Sequence, residues 1–354
     1  MVTIRDVAKH AGVSVASASR ALNVHANVLP ETRDRITEAA RLLHYVPHEG
    51  ARSLTRRRSD AIGVVLPDLF GEYFSELVRG IDRVAHAAGL QLLLSNMHGN
   101  PHETASAIRA MRGRVDGLLV MPPEGDGSYL EGALPPGLPA VLVNHGHSEN
   151  GAAGAVGVDN YGGARAMTEH LVERGYTRIA HIAGPRHNRD ACERQRGFTD
   201  AIAATTGERS PMIVPGDFTE AGGAAAARLL IAGRFPIDAM FCANDMMAIG
   251  ALGVLADAAL NVPDAIGVAG FDDIPLAHYV APPLTTMRVC IAEMGERAME
   301  LLIARMRGEE VSATHIIAPE LIARVTTARG RQQQPNMTVK STGGILPWPS
   351  PAAG

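Results

Sequence analysis

The sequence predicts a small all-α helix-turn-helix head followed by an α/β body of two doubly wound lobes. Three observations predict it. Residues 1–58 carry ten Lys/Arg against five Asp/Glu, whereas the remaining residues carry 23 against 32. A basic head on an acidic body suits a nucleic-acid reader attached to a regulatory domain. Within the head, two short amphipathic stretches flank a glycine turn, and beyond residue 60 short apolar strands alternate with helical stretches in two successive series.

The 354 residues leave room for two or three domains of ~100–200 residues each. Apolar residues make up 46% and charged residues 20%, enough for a large core and too ordered a composition for wholesale disorder. No apolar run approaches the ~20 residues of a membrane span, so no membrane partner is expected. Arg5, Asp6 and Lys9 stand near the N-terminus with no apolar segment behind them, so a secretory signal is not expected either. Cys192, Cys242 and Cys290 lie about fifty residues apart. That spacing fits neither a disulfide framework nor a zinc knuckle and suits a reducing cytoplasm; no metal site is expected.

Thr3 with Asp6 has the spacing of a capping box at the start of a helix over residues 3–11. Ile4, Val7, Ala8 and Ala11 give that helix one apolar face. Gly12 ends it, and Ser14 caps a second helix running to about Asn23. This is the helix-turn-helix arrangement, whose second helix can enter a major groove. Ala18, Ala21 and Leu22 face the first helix. Val15, Ala16, Ser19, Arg20 and Asn23 form a small, polar outward stripe. The Arg20 fork fits guanine O6 and N7, while Val15 and Ala16 offer apolar contact to a thymine methyl. Ser14, Ser17, Ser19 and Asn23 suit phosphates, and Thr3 belongs to the same candidate DNA-binding set. A third helix is expected over Pro30–Leu43.

In the body, apolar runs at Ile62–Leu66, Leu90–Leu94, Gly117–Met121 and Ala140–Val143 are separated by helical stretches at about 73–88 and 102–113. A second series, Ile179–Ala183, Met212–Val214, Ala239–Cys242 and Ile266–Gly270, repeats the pattern. Such alternation means parallel sheets covered on both faces. Ligands of open α/β sheets bind at the carboxyl ends of the strands. That rule points to Pro67–Phe74, Met121–Pro123, Asn144, Gly184–Arg194, Gly216–Phe218, Asn244–Asp245 and Phe271–Asp273. The apolar stripe of a helix over 291–307 is core packing.

The run Thr3-Ile-Arg-Asp-Val-Ala-Lys-His-Ala-Gly-Val-Ser-Val-Ala-Ser-Ala-Ser-Arg-Ala-Leu-Asn23 resembles the signature of the LacI/GalR family of bacterial transcription regulators. Tyr45-Val46-Pro47 and Ala51-Arg52-Ser53-Leu54 look like that family's hinge segment. Ile62–Asp68, Ala243–Gly250, Gly270–Asp273 and Pro282–Thr286 look like its core landmarks, in order, so the resemblance covers roughly residues 2–328. His48, Leu29 and Val289-Cys290 depart from the usual family residues. The resemblance implies lobes of the periplasmic-binding-protein type, with the chain crossing between them near 160, 290 and 322. The implied domains are a DNA-binding head at 1–47, a hinge at 48–59 and a two-lobed core at 60–330. Lobe one takes about 60–160 and 292–322, and lobe two about 161–291 and 323–330. Residues 331–354 read as a disordered tail without leucine heptads, so a homodimer is expected on an inverted-repeat operator.

In the hinge, the resemblance makes Leu54 a wedge into the minor groove, with Ala51 on the same DNA-binding segment. A helix over His48–Arg56 is too short to stand alone and is expected to fold on DNA. In the cleft it implies that Arg194 and Asp272 bind ligand hydroxyls with help from Asn244. Phe218 would stack on the ligand, and Tyr73, Phe74, Asn144, Asn188 and Asp190 would complete the lining. An Arg–Asp pair with amides and an aromatic face suits a carbohydrate effector; no other cofactor is expected. Asp245 and Asp273 read equally well as helix or turn caps.

The expected function is therefore an effector-controlled, sequence-specific DNA-binding regulator, most often a repressor in such a family. The alternative is a purely sugar-binding protein of the periplasmic-binding-protein type, against which the helix-turn-helix argues. An enzyme is not expected, because Gly-x-Gly-x-x-Gly, Gly-x-x-x-x-Gly-Lys-Ser/Thr, His-Glu-x-x-His and Gly-x-Ser-x-Gly do not occur. The fourteen histidines are scattered, and the closest pair in the cleft region, His145 and His147, reads as surface.

Overall fold

The computed structural model describes residues 2–22, 28–45, 58–98, 100–122, 130, 133–144, 154–207, 210–233, 236–309 and 314–329. The expected hinge helix with Ala51 and Leu54, Asn23 in the head, the pair His145 and His147, and the tail at 331–354 lie outside the described residues.

In the head, α1 (Ile4–His10), α2 (Val15–Leu22) and α3 (Pro30–Leu42) pack around Val7, Ala8, Ala18, Ala21, Ile36, Ala39 and Ala40. The Thr3 N–H and hydroxyl both donate to the Asp6 carboxylate at 2.8 Å, which fixes the first turn of α1 and lowers the Asp6 pKa. Gly12 turns the chain at φ 64°, a conformation that favours glycine. Ser14 Oγ then accepts from the Ser17 N–H at 3.1 Å and starts α2. Leu29 stands exposed at the N-cap of α3 with no side-chain cap, and Pro30 at the first helical turn supplies the pre-set φ.

The body holds two parallel sheets. The first has the order β11-β5-β4-β3-β1-β2, built from β1 (Ala61–Leu66), β2 (Gln91–Asn96), β3 (Gly117–Val120), β4 (Ala140–Val143), β5 (Gly154–Val158) and β11 (Thr314–Ile317). The second has the order β7-β6-β8-β9, from β6 (Ile179–Ala183), β7 (Met212–Pro215), β8 (Ala239–Cys242) and β9 (Gly267–Ala269). All residues of β1, β3, β4, β6 and β8 are buried, as a parallel sheet covered on both faces requires.

Right-handed crossovers put α4 (Glu72–Ala87) and α5 (Pro101–Met111) on opposite faces of the first sheet. The cores agree, since Leu77 and Ile81 of α4 belong to one cluster and Ile108 and Met111 of α5 to another. In lobe two the same rule sets α6 (Asn160–Glu173) and α7 (Arg189–Thr206) against α8 (Glu220–Ala232) and α9 (Asp245–Asp257).

The antiparallel ribbon of β10 (Thr286–Arg288) and β12 (Glu320–Ile322) continues the edge of the second sheet through bridges from Ala269 to Thr285 and from Asp272 to Arg288. After the short α10 (Pro275–Tyr279), β10 leads the chain into α11 (Ile291–Met306), which returns to lobe one. The lobes are thus joined at Asp159, at Val289-Cys290 and at residues 318–319. The third passage corrects the expected position near 322. Residues 320–322 are already paired with β10, because the ribbon needs both strands on the lobe-two side.

Helices α4 and α11 approach each other on glycines. A Cβ on Gly80 would land on the Ala292 carbonyl oxygen, and one on Gly295 would crowd the Leu77 carbonyl. Both obstacles are backbone and cannot rotate away. Gly80→Ala is therefore expected to destabilise the fold by about 1–3 kcal/mol through overpacking, against a helix-propensity gain of at most ~1 kcal/mol. A urea midpoint unchanged or raised in this variant would contradict the close helix contact.

Candidate functional site

The head presents one face of α2 to solvent. Val15, Ala16 and Arg20 are exposed, Ser17 and Ser19 are half-buried, and Ala18 and Ala21 are buried against the other helices. Arg20 Nε donates to the Ala16 carbonyl at 3.3 Å, which lays the side chain along the outward stripe. Ser14 and Ser17 share a hydroxyl contact at 2.9 Å at the helix start, and Thr3 is tied to Asp6 at the start of α1. The stripe is small apart from one guanidinium, so a groove wall can approach the helix closely.

Between the lobes, a cavity of about 400 Å³ opens at the carboxyl ends of both sheets. Lobe one contributes Pro67, Asp68 and Phe70 after β1, Tyr73 and Phe74 on α4, His98 after β2, Met121 after β3 and Asn144 after β4. Lobe two contributes Asn188, Asp190 and Arg194 around the start of α7. Phe218 follows β7, Asn244 and Met246 follow β8, and Asp272 follows β9. The nine candidate cleft residues therefore meet at one cavity, although they come from six segments spread over nearly 200 residues of chain.

Arg194 is the centre of the lobe-two wall. It is 4% exposed, its Nε donates to Asn160 Oδ1 at 2.7 Å, and its Nη1 donates to the Ala243 carbonyl at 2.6 Å. Its Nη2 lies 3.2 Å from Asp272 Oδ1, close enough for an ion pair but too poorly aligned for a hydrogen bond, so that oxygen has no hydrogen-bond partner. The guanidinium also lies 3.8 Å from the centre of the Phe271 ring. Asn160 Nδ2 in turn donates to Asp190 Oδ1 at 2.8 Å, so one amide at the first inter-lobe passage holds both Arg194 and Asp190.

Three candidate residues sit at left-handed backbone positions: Asn144 at φ 56°, Phe218 at φ 70° and Asp272 at φ 117°. Such strain persists only where the surroundings impose it, and it gathers at functional sites. Phe218 is accommodated because Gly184 has no side chain where the ring packs. Asn144 Nδ2 donates to the Tyr73 hydroxyl at 2.7 Å, and its Oδ1 is buried without a partner. Asn188 and Asn244 cap α7 and α9 by accepting from the Ala191 and Met247 N–H groups. Asn244 Nδ2 also donates to the Phe218 carbonyl at 3.0 Å, which locks the strained turn.

Burial pushes the Asp272 carboxyl up to about 6; Arg194 opposes the rise and the nearby Asp190 charge adds to it. Asp190 is raised for the same first reason, again against Arg194, and the Tyr73 phenol is raised by burial together with the Asp272 and Asp190 charges. Asp245 and Asp273 are structural. Asp245 accepts from Thr286 Oγ1 at 2.5 Å and the Ile274 N–H at 3.0 Å, and Asp273 pairs with Arg288 and Arg324.

Sequence reasoning missed His98, Met246 and Asn160. The carboxyl-end rule, applied to β2 and one residue further past β8, finds the first two. Asn160 follows a helix N-cap, Asp159, and carries no local mark of its contacts with residues 30 and 34 positions away. Among the described residues no group of three His, Cys, Asp or Glu side chains could hold a metal, and no helix is long and apolar enough to cross a membrane.

Residues 3–48 match the model of bacterial regulatory proteins of the lacI family, and residues 168–327 match a periplasmic binding protein-like domain. The transcriptional regulator GalS of Salmonella typhimurium is 36% identical over 336 residues, covering 93% of this chain and 97% of that protein. The chain belongs to the LacI family. This regulator is also similar in structure to the lac repressor dimer bound to operator and the anti-inducer ONPF. That likeness has a TM-score of 0.81 at 27% identity, covering 92% of this chain and 99% of that one. The CelR–cellobiose complex is 30% identical with a TM-score of 0.68, covering 92% and 100%. This LacI-family chain is thus a DNA-binding transcriptional regulator with a periplasmic-binding-protein-like core, and not an enzyme.

The Asp272 pKa gives a signed test. Its folded value lies above the ordinary carboxylate value of 3.8, so ionising it costs stability as pH rises from about 4 through about 6. Asp272→Asn removes that cost. The melting temperature of the variant relative to wild type is expected to shift upward between pH 4.5 and 7.5. A difference independent of pH would contradict the buried, proton-retaining environment.

Proposed function

We propose that this regulator is a homodimeric, cytoplasmic repressor whose affinity for an inverted-repeat operator is set by a carbohydrate effector bound between the lobes. The observation that carries the reading is a cavity lined from both lobes in the same chain as a helix-turn-helix with an exposed, groove-sized face. The lac repressor dimer on operator and the CelR complex with cellobiose support the DNA and sugar parts of the reading. A purely sugar-binding protein would have no use for the head.

Arg20 reads a guanine, Val15 and Ala16 contact bases through apolar groups, and Thr3, Ser14, Ser17, Ser19 and Asn23 hold phosphates. Residues 48–59 form the hinge. Leu54, supported by Ala51, wedges into the minor groove at the operator centre and bends the duplex at a flexible step. In the cleft, Asp272 and the remaining N–H groups of Arg194 meet ligand hydroxyls, Phe218 stacks on the ring, and Tyr73, Phe74, Asn144, Asn188, Asp190 and Asn244 shape the walls.

Because a bound ligand touches both walls, it favours one lobe angle over another, and only such differential binding can shift an equilibrium. Glu72 of lobe one accepts from the Leu276 N–H of lobe two at 2.8 Å, so the present lobe angle has a polar contact of its own. A change of angle alters the spacing of the two hinges in the dimer, and with it Leu54 insertion and operator affinity.

Two substitutions test the assignment. Arg20→Ala should weaken operator binding by roughly 1–3 kcal/mol and relax discrimination at one base pair. Equal loss on all duplexes, measured at fixed salt, would remove its base-reading role. Asp272→Ala should retain operator binding without ligand and lose the response to the effector. A normal response would take Asp272 out of the site.

A further inference from the structure

We infer that the inter-lobe cavity selects an uncharged, hydroxyl-rich ligand of one or two rings and excludes its phosphorylated and carboxylated counterparts; the inference rests on the effector-site reading above. The first observation is the balance of charge. Four carboxylates, from Asp68, Asp190, Asp217 and Asp272, line the cavity, and Arg194 is the one guanidinium among the described lining residues. Arg194 is already matched by Asp272 at 3.2 Å and bound to Asn160 and the Ala243 carbonyl. No unpaired arginine or lysine lines the described walls to meet a ligand anion, and His98 and His187 are the other basic lining groups.

The helix ends reinforce the point. Helices α7, α8 and α9 begin at the cleft, and an open helix N-terminus, with about half a positive charge, is a ready anion site. At each of these three, one first-turn N–H is already taken up. Asn188, Thr219 and Asn244 each accept from a first-turn N–H of their own helix. A carboxyl group accompanies each end: Asp217 accepts from the Thr219 N–H and hydroxyl at α8, while Asp190 in α7 and Asp245 at the start of α9 are raised in pKa by burial. At α8 the Asp217 carboxylate opposes the half-charge of the dipole, and the buried Asp190 and Asp245 side chains leave the other two ends no added positive charge for a phosphate.

The polar wall instead asks for donors. Asp272 is 5% exposed and its Oδ1 lacks a hydrogen bond, and among the described residues Asp68, Asp190 and Asp217 accept on Oδ1. Hydroxyl groups supply such donors without charge. Tyr73, Phe74, Phe218, Met121 and Met246 give the opposite, apolar contact that the carbon faces of a ring require. A cavity of about 400 Å³ lies at the small end of the ~300–1,000 Å³ typical of ligand sites, which sets the limit of one or two rings.

The test uses the full-length protein on its operator at fixed salt, with D-galactose, D-ribose and cellobiose set against D-galactose 6-phosphate, D-ribose 5-phosphate, D-galacturonate and hypoxanthine. Calorimetry measures direct binding, and operator affinity reports the response. A neutral sugar should bind and shift operator affinity while its charged counterpart binds at least about tenfold more weakly. Asp190→Asn should narrow that gap several-fold, a change in ratio that a merely weakened pocket would not produce. Equal or tighter binding of a phosphate or uronate, or binding of hypoxanthine alone, would overturn the inference and leave the cleft as the effector site. Calorimetric silence towards every compound by a protein that still binds its operator would overturn the effector-site reading and the inference together.

Discussion

The structure depends most on the burial of one guanidinium. Arg194 sits inside lobe two, where an unpaired charge would cost several kcal/mol. It is stabilised by partners that arrive from distant parts of the chain: Asn160 at the first inter-lobe passage, the Ala243 carbonyl after β8, and Phe271 and Asp272 after β9. Satisfying that charge brings these ends to one point. It also holds Asp272 in a backbone conformation that a free aspartate would leave, and it keeps the Asp272 carboxyl beside a cavity instead of in water.

The same network explains why occupancy of the cleft can reach the rest of the molecule. Asn160 is the first residue of α6, directly after the passage from lobe one, and it holds both Arg194 and Asp190. A ligand that presses on Asp190 or Asp272 therefore acts on the residue that starts the crossing. Across the cleft, Tyr73 and Phe74 lie on α4, whose glycine contact with α11 couples the lobe-one wall to the segment emerging from the second passage at Cys290. Close-packed backbone of this kind does not deform gradually, so displacement of one wall moves whole elements.

Much of this was legible in the sequence, and the reason is physical. β1, β4, β6 and β8 are buried on both faces, so their apolar runs mark them within one residue of their ends. The capping contacts of Thr3 and Ser14 are local and follow from spacing. Strand β5, whose run Gly154–Val158 holds two glycines, has weak strand propensity and gives little pattern. The three-residue strands β10 and β12 and the exposed β11 likewise carry too few buried side chains to stand out. In the cleft, the rule of strand carboxyl ends located the walls, but Asn160 acts only through partners far away in sequence. Asp245 and Asp273 resisted assignment because a buried cap and a ligand-binding carboxylate look alike until Thr286, Arg288 and Arg324 are seen on them.

In the proposed mechanism, ligand in the cleft and DNA on the head bias one equilibrium of lobe arrangements. Such coupling is reciprocal, so each must change the affinity of the other by the same factor. The direct measurement is the dissociation constant of an active neutral sugar for the full-length protein, taken with and without saturating operator duplex in one buffer. The expected ratio equals the factor by which that sugar changes operator affinity. The same sugar affinity in both titrations, alongside a sugar-dependent operator affinity, would contradict it.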